Sequence, residues 1–191
     1  YVREWLGAMT VGGIVEYDSD EGRYFLPAEH AALLTRAAGG DNMASLMQYF
    51  AVLGTVEDQV VDCFRKGGGV PYTEFKRFHA VMAEESGQST VGWLIDHILP
   101  LAPGMVEALQ AGADVLDIGC GSGRALNLMA RTFPNSRFVG YDLSKEALRV
   151  AKSEANGNGN IRFELRDLSS FDDDGPTARF DFVTSFDAIH D

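Results

Sequence analysis

The sequence predicts an α/β chain whose second half is a parallel sheet flanked by helices. Two observations carry this. Residues 115–126 run an apolar strand straight into three alternating glycines, Gly119, Gly121 and Gly123, and then into a helix. Three further segments, 137–142, 161–167 and 180–187, have strand composition, and a helical pattern separates the first two. Ahead of this half lie a helix-plus-hairpin pattern over 1–38 and a helical stretch over 39–111, giving three expected segments: 1–38, 39–111 and 112–191.

Taken in order, residues 1–9 read as the tail of a helix. Gly13 to Tyr17 and Arg23 to Leu26 are two short strands around a polar turn that contains Gly22. In 39–111, Asp41 is placed to cap a helix whose Met43, Leu46, Met47 and Phe50 recur at helical spacing. The pattern resumes at Val56, Val60 and Phe64 beyond Gly54. Gly67, Gly68 and Gly69 form a flexible hinge before Pro71 and Tyr72. Helical patterns are expected over 73–85 and 90–99, ending at Pro100 and Pro103, with a short piece over 104–111. Met43, Met47, Phe50, Tyr72, Phe75, Phe78 and Trp93 are expected as core or pocket lining, with plain core the favoured reading for all but Tyr72.

In the last segment, glycine lets the backbone turn tightly and approach a ligand, and the following helix points unpaired N–H groups at the turn. Such a turn at the carboxyl end of a parallel strand is a nucleoside-binding crevice. The strand 137–142 ends in Asp142, 25 residues after Asp117, a spacing suited to a carboxylate that accepts ribose hydroxyls. Ser144 is placed to cap the next helix, with Ala147, Leu148, Ala151 and Ala155 on one face and Gly157 at its end. Ile161, Phe163 and Leu165 alternate with Arg162, Glu164 and Arg166, as in a strand covered on one face.

Two phosphate-binding patterns fit poorly. The dinucleotide fingerprint needs a small residue at its sixth position, and counting from Gly119 that residue is Arg124. No Lys-Ser or Lys-Thr pair closes the glycine turn, as a P-loop requires. The complete pattern here is D-x-G-x-G-x-G, from Asp117 to Gly123. With it, the chain resembles class I S-adenosylmethionine-dependent methyltransferases. Asp142, Asp167 and the strand 180–187 continue the resemblance in register. The helix and hairpin of 1–38 resemble the second half of a winged helix, a domain that many small-molecule methyltransferases of this class carry before the catalytic one and use to dimerise.

The resemblance implies a Rossmann-like sheet, here with its first four strands in the order 3-2-1-4, preceded by a partial winged helix and a helical lid or linker. It implies S-adenosyl-L-methionine as cofactor, held by Asp117, Gly119, Cys120, Gly121, Gly123, Asp142, Leu143, Asp167, Leu168 and Phe186. Within that set, Asp117 is expected at the methionine ammonium, Asp142 at the ribose, and Asp167 with Leu168 at the adenine. His190, followed by Asp191, stands where plant-type O-methyltransferases carry a His-Asp pair that supplies the base. The alternative for His190 is a polar residue packing under the cofactor. Tyr72, a polar aromatic beside a glycine hinge, is the candidate acceptor contact.

The expected activity is methyl transfer to a small-molecule acceptor, with oxygen the favoured atom. Two alternatives stay open: an NAD(P)-dependent oxidoreductase, and a non-enzymatic winged-helix regulator that binds the cofactor. Charge weighs on the second. Residues 1–38 hold three Lys or Arg against six Asp or Glu, and the whole chain is −12. Nucleic acid is therefore not an expected partner. The composition is 46% hydrophobic, ordinary for a globular protein. No apolar run reaches the roughly 18 residues of a membrane span. Cys63 and Cys120 lack metal spacing, no metal site is expected, and the acidic residues 172–174 read as a solvated loop. A reduced, cytoplasmic protein is the expectation. His30, His79 and His97 read as surface or packing residues. The chain opens on Tyr1 and stops four residues after Asp187, so both ends are expected to be cuts through a longer protein. The isolated piece is then expected to expose its fourth strand, and to be unstable or associated and inactive.

Overall fold

A computed structural model describes residues 1–167 and 179–189. The chain divides into two units, Tyr1–Glu74 and Phe75–Asp191.

In the first unit, α1 (Val2–Val11) leads through Gly12 and Gly13 into an antiparallel hairpin of β1 (Glu16–Asp18) and β2 (Arg23–Phe25). Asp18 shapes the turn, its Oδ1 accepting from the N–H groups of Asp20 and Glu21 at 2.9 and 3.1 Å. The rings of Tyr17 and Tyr24 meet across the pair at 4.7 Å. Next come α2 (Ala28–Leu34), a 3₁₀ turn (Arg36–Asp41), α3 (Met43–Gly54) and α4 (Glu57–Lys66). His30 packs as expected, its Nδ1 lying 2.8 Å from the Ile14 carbonyl.

Two expectations for this unit need correction. The cap of α3 is Asn42, whose side chain accepts from Ala44 N–H at 3.1 Å, rather than Asp41. The buried residues of α3 are Ser45 and Val52, while Met43, Leu46, Met47 and Phe50 are exposed. A serine can turn inward here because its hydroxyl donates to the Asn42 carbonyl at 2.7 Å. Periodicity of apolar residues alone could not show this.

The second unit opens with helical pieces. Arg77 adopts a left-handed backbone at φ 67°, so the helix expected from residue 73 starts only at α5 (Phe78–Gln88). Then follow α6 (Thr90–Trp93), a π turn (Leu94–Ile98), a 3₁₀ turn (Leu99–Leu101) and α7 (Met105–Ala111). Phe75 and Phe78 are half-buried and Trp93 is exposed, against the core reading. The rings of Trp93 and His97 meet at 4.8 Å, tilted by 46°, consistent with a packing histidine.

The sheet contains β3 (Asp114–Ile118), β4 (Arg137–Asp142), β5 (Ile161–Leu165) and β6 (Phe182–Thr184), all parallel, in the order β5-β4-β3-β6. Helices α8 (Arg124–Thr132) and α9 (Lys145–Ala155) connect β3 to β4 and β4 to β5. Ser144 caps α9 by accepting from Ala147 N–H, and Asn156, in the left-handed conformation, ends it one residue before Gly157. Leu126, Met129 and Ala130 of α8 pack with Leu148 and Ala151 of α9 and with Val115, Phe138 and Phe163 of the sheet. Leu116, Val139 and Tyr141 point to the other face and form a smaller cluster.

The amino ends of the strands are tied by polar groups. Arg137 makes two 2.6 Å hydrogen bonds to Asp114 and holds its carboxyl below the usual carboxylate range. Ser136, fully buried, accepts from Ala113 N–H at 2.9 Å and donates to the Leu109 carbonyl at 2.6 Å. Asn160 donates to the carbonyls of Ala130, Phe133 and Ser136. A Ser136→Ala variant strands a buried N–H and a buried C=O, so we expect it to lose about 2–4 kcal/mol. Urea titration should show an earlier midpoint with an unchanged slope. A midpoint equal to wild type would show that water replaces the hydroxyl.

Candidate functional site

The site is built at the carboxyl ends of β3 and β4. After β3 the chain turns sharply, with Gly119, Gly121 and Gly123 at φ 68°, 54° and 69°, where a Cβ is unfavourable. Two of the three are also packed tightly. A Cβ on Gly123 would lie 2.7 Å from the Phe163 ring and 2.8 Å from the Ala151 side chain, and a Cβ on Gly119 would collide with Ala188. Gly121 differs, since a Cβ there meets nothing within 4 Å, and that side of the turn is open.

The close packing of helix on strand that a dinucleotide fold assigns to its last glycine is done here by Gly123, one position earlier. Arg124 instead reaches out of the turn. Its guanidinium donates to the Ala83 carbonyl of α5 and lies 3.8 Å from Glu154 of α9. No side chain caps the first turn of α8 among the described residues, so its N–H groups face the glycine turn.

The end of β4 holds this turn in place. The Tyr141 carbonyl accepts from both Gly119 N–H (2.9 Å) and Cys120 N–H (3.0 Å). Asp142 Oδ2 accepts from Gly121 N–H and its Oδ1 from Ser144 N–H, both at 2.7 Å. The carboxylate thus joins the turn to the start of α9. Each oxygen keeps a second lone pair for a ligand hydroxyl. Sequence reading assigned Asp142 to a ligand and missed this second duty.

Asp117, the acid of the motif, is 2% exposed on β3. Burial is the main force on its carboxyl. A 2.8 Å hydrogen bond from Thr184 Oγ1 opposes it, the charge of Asp142 adds to it, and the pKa is pushed up to about 7. Burial likewise pushes up the Cys120 thiol. The Cys120 Sγ packs toward Gly140, where a Cβ would come within 2.7 Å of it, so a ligand in the turn meets the backbone of Cys120.

The structure brings Asp117, Gly119, Cys120, Gly121, Gly123 and Asp142 to one turn. Leu143, next to Asp142, is 68% exposed, an apolar side chain open to solvent at the strand ends. Asp167 follows β5 and is exposed. Phe186, after β6, packs against the main core. Tyr72 is exposed in a 3₁₀ turn (Tyr72–Glu74) of the first unit. Leu168, His190 and the acidic residues 172–174 lie outside the described residues. Thr184 was not singled out from sequence, and only the pairing of β6 beside β3 reveals it. No helix among the described residues is long and apolar enough to cross a membrane.

The raised Asp117 pKa has a consequence for stability. The folded state keeps its proton to about pH 7, whereas an unfolded chain loses it near pH 4. Folding stability therefore falls as pH rises from about 4 to 7. Asp117→Asn removes this penalty, and its advantage over wild type should grow from near zero at pH 4 to as much as about 4 kcal/mol at pH 8. Urea curves at both pH values check this, and a constant difference would mean that Asp117 stays ionised in the fold.

Comparison with known proteins gives a family for both ends of the chain. Residues 109–191 match the family described as a methyltransferase domain, and residues 1–36 match an Rv2258c-like winged HTH domain. A release factor glutamine methyltransferase of Koribacter versatilis is 34% identical over 93 residues, 48% of this chain and 31% of that protein. The mitochondrial ubiquinone biosynthesis O-methyltransferase of Candida albicans is 37% identical over 76 residues, 39% of this chain and 23% of that protein. The chain thus spans between about a quarter and a third of the length of these curated relatives. An O-methyltransferase family protein from Burkholderia thailandensis shares the fold over 85% of this chain and 49% of its own, with a TM-score of 0.54 and 14% sequence identity. Residues 109–191 are thus a methyltransferase domain built on a Rossmann-like parallel sheet, and an Rv2258c-like winged HTH domain precedes it in the chain.

Proposed function

We propose that this protein transfers a methyl group from S-adenosyl-L-methionine to a small-molecule acceptor, with an oxygen as the atom methylated. The observation that carries the cofactor assignment is the glycine turn closed by Asp142, open at Gly121 and flanked by the buried acid Asp117. These groups fit the cofactor's parts. Asp117 offers a carboxylate to the methionine ammonium, and Asp142 offers free lone pairs to the ribose hydroxyls. The exposed Leu143 offers an apolar surface to the adenine, with Asp167 and Leu168 at its amine. Gly119, Cys120 and Gly123 shape the turn, and Phe186 backs it from the core.

When bound, the cofactor supplies a sulfonium methyl that is itself the electrophile. The chain's part is alignment, exclusion of water and proton handling. His190 is the group proposed to take the acceptor's hydroxyl proton, with Tyr72 as an acceptor contact. The name of the Candida albicans relative supports an oxygen acceptor. In this reading the winged-helix region serves association with a second copy rather than DNA binding. Its acidic balance supports this, as do its own exposed apolar side chains, Trp5, Val11 and Phe25 among them.

Calorimetry with S-adenosylhomocysteine tests the cofactor assignment. Asp142→Ala should weaken binding by about 1.5–3 kcal/mol, the worth of hydrogen bonds to a charged group, which is roughly tenfold to more than a hundredfold. Gly121→Val should do comparable harm by placing a branched side chain in the open side of the turn. Unchanged affinity in both variants would place the cofactor elsewhere.

The base is tested by rate. His190→Ala should lower kcat by about 10²–10⁴ with cofactor affinity nearly intact. The loss should shrink for acidic phenols, which ionise without help. If kcat against acceptor pKa runs parallel in both proteins with a small gap, transfer proceeds by alignment alone.

A further inference from the structure

Parallel pairing of β3 with β6 sets Asp117 opposite Thr184. The Thr184 hydroxyl, itself buried, donates to Asp117 Oδ1 at 2.8 Å. It cannot at the same time donate to the Leu116 carbonyl 3.5 Å away, and the shorter contact wins. The other groups acting on Asp117 are of like sign or neutral. Asp142 stands at the end of β4, and the Cys120 thiol sits in the turn. Among the described residues, no Lys, Arg or His contributes to the balance at Asp117. A carboxyl buried beside a second carboxylate, with one neutral donor as partner, is costly to ionise until a cation arrives.

Resting on the cofactor assignment above, we propose that Thr184 is a positioning residue for Asp117, and that a ligand carrying an α-ammonium group expels a proton from Asp117 as it binds the glycine turn. The carboxyl O–H bond breaks and the proton leaves to buffer. The carboxylate formed pairs with the ligand's ammonium, which keeps all three of its protons. Thr184 keeps Oδ1 occupied in both states. With the empty-site carboxyl titrating near pH 7, ligand binding is held back below that pH and relieved above it.

The measurement is calorimetry of S-adenosylhomocysteine binding at pH 6, 7 and 8, each in two buffers of different ionisation enthalpy, which counts protons directly. We expect about one proton released at pH 6, falling toward zero at pH 8, with affinity roughly tenfold tighter at pH 8 than at pH 6. Thr184→Val removes the donor that favours the carboxylate, so it should move this pH window upward. Thr184→Ser should restore the wild-type window. A wild-type proton count near zero at pH 6 overturns the proposal while leaving the cofactor assignment intact, and needs no variant. Thr184→Val weakening binding equally at every pH also overturns it, since that is the signature of a purely structural threonine. No binding at any pH overturns the cofactor assignment and the proposal together.

Discussion

The carboxyl end of β4 is the anchor on which the candidate site depends. A single carbonyl, that of Tyr141, receives two N–H groups from the glycine turn, and the next residue, Asp142, receives a third while its other oxygen holds the start of α9. Three glycine-turn N–H groups that would otherwise lack partners are thus satisfied by one strand end. Hydrogen bonds to a carboxylate contribute more than neutral ones, on the order of 1.5–3 kcal/mol each. The turn is therefore held rigid before any ligand arrives, and the cost of ordering it is met during folding rather than binding.

This anchoring works only because the layers approach closely. Gly123 lets α8 sit against Phe163 of β5 and Ala151 of α9. Gly140, on β4, leaves room for the Cys120 side chain and Phe163. The apolar cluster of β3, β4, β5, α8 and α9 fills that contact. Packing and binding are in this sense one design, because the glycines that permit the close approach also shape the open side of the turn.

Within that rigid frame the electrostatics are unbalanced. Asp117 and Asp142 put two carboxyl groups beside one turn, and among the described residues no cation offsets the buried Asp117. Such a site favours a positively charged ligand and resists holding both charges without one. The arrangement suits a cofactor that brings its own ammonium and sulfonium, and it argues against an anionic pyrophosphate as the group that sits beside Asp117.

The sequence by itself determined the α/β class and the strand-turn-helix unit, because those follow from local signals, namely alternating glycines, period-2 strands and acids at strand ends, while the strand order followed from the resemblance carried by the D-x-G-x-G-x-G motif. It also placed Asp117, Gly119, Gly121, Gly123 and Asp142 in one motif, since residues close in sequence around a tight turn stay close in space. Only the tertiary structure decided the rest. Thr184 meets Asp117 across 67 residues, by the register of β6 on β3, which no local pattern encodes. Arg77 breaks a helix that periodicity carried through it, because a left-handed residue leaves no mark on composition. Ser45 rather than Met43, Leu46, Met47 or Phe50 is buried on α3. A hydroxyl satisfied by the helix's own first turn can be buried, and apolar side chains can stay exposed, so hydropathy alone does not choose the inward face.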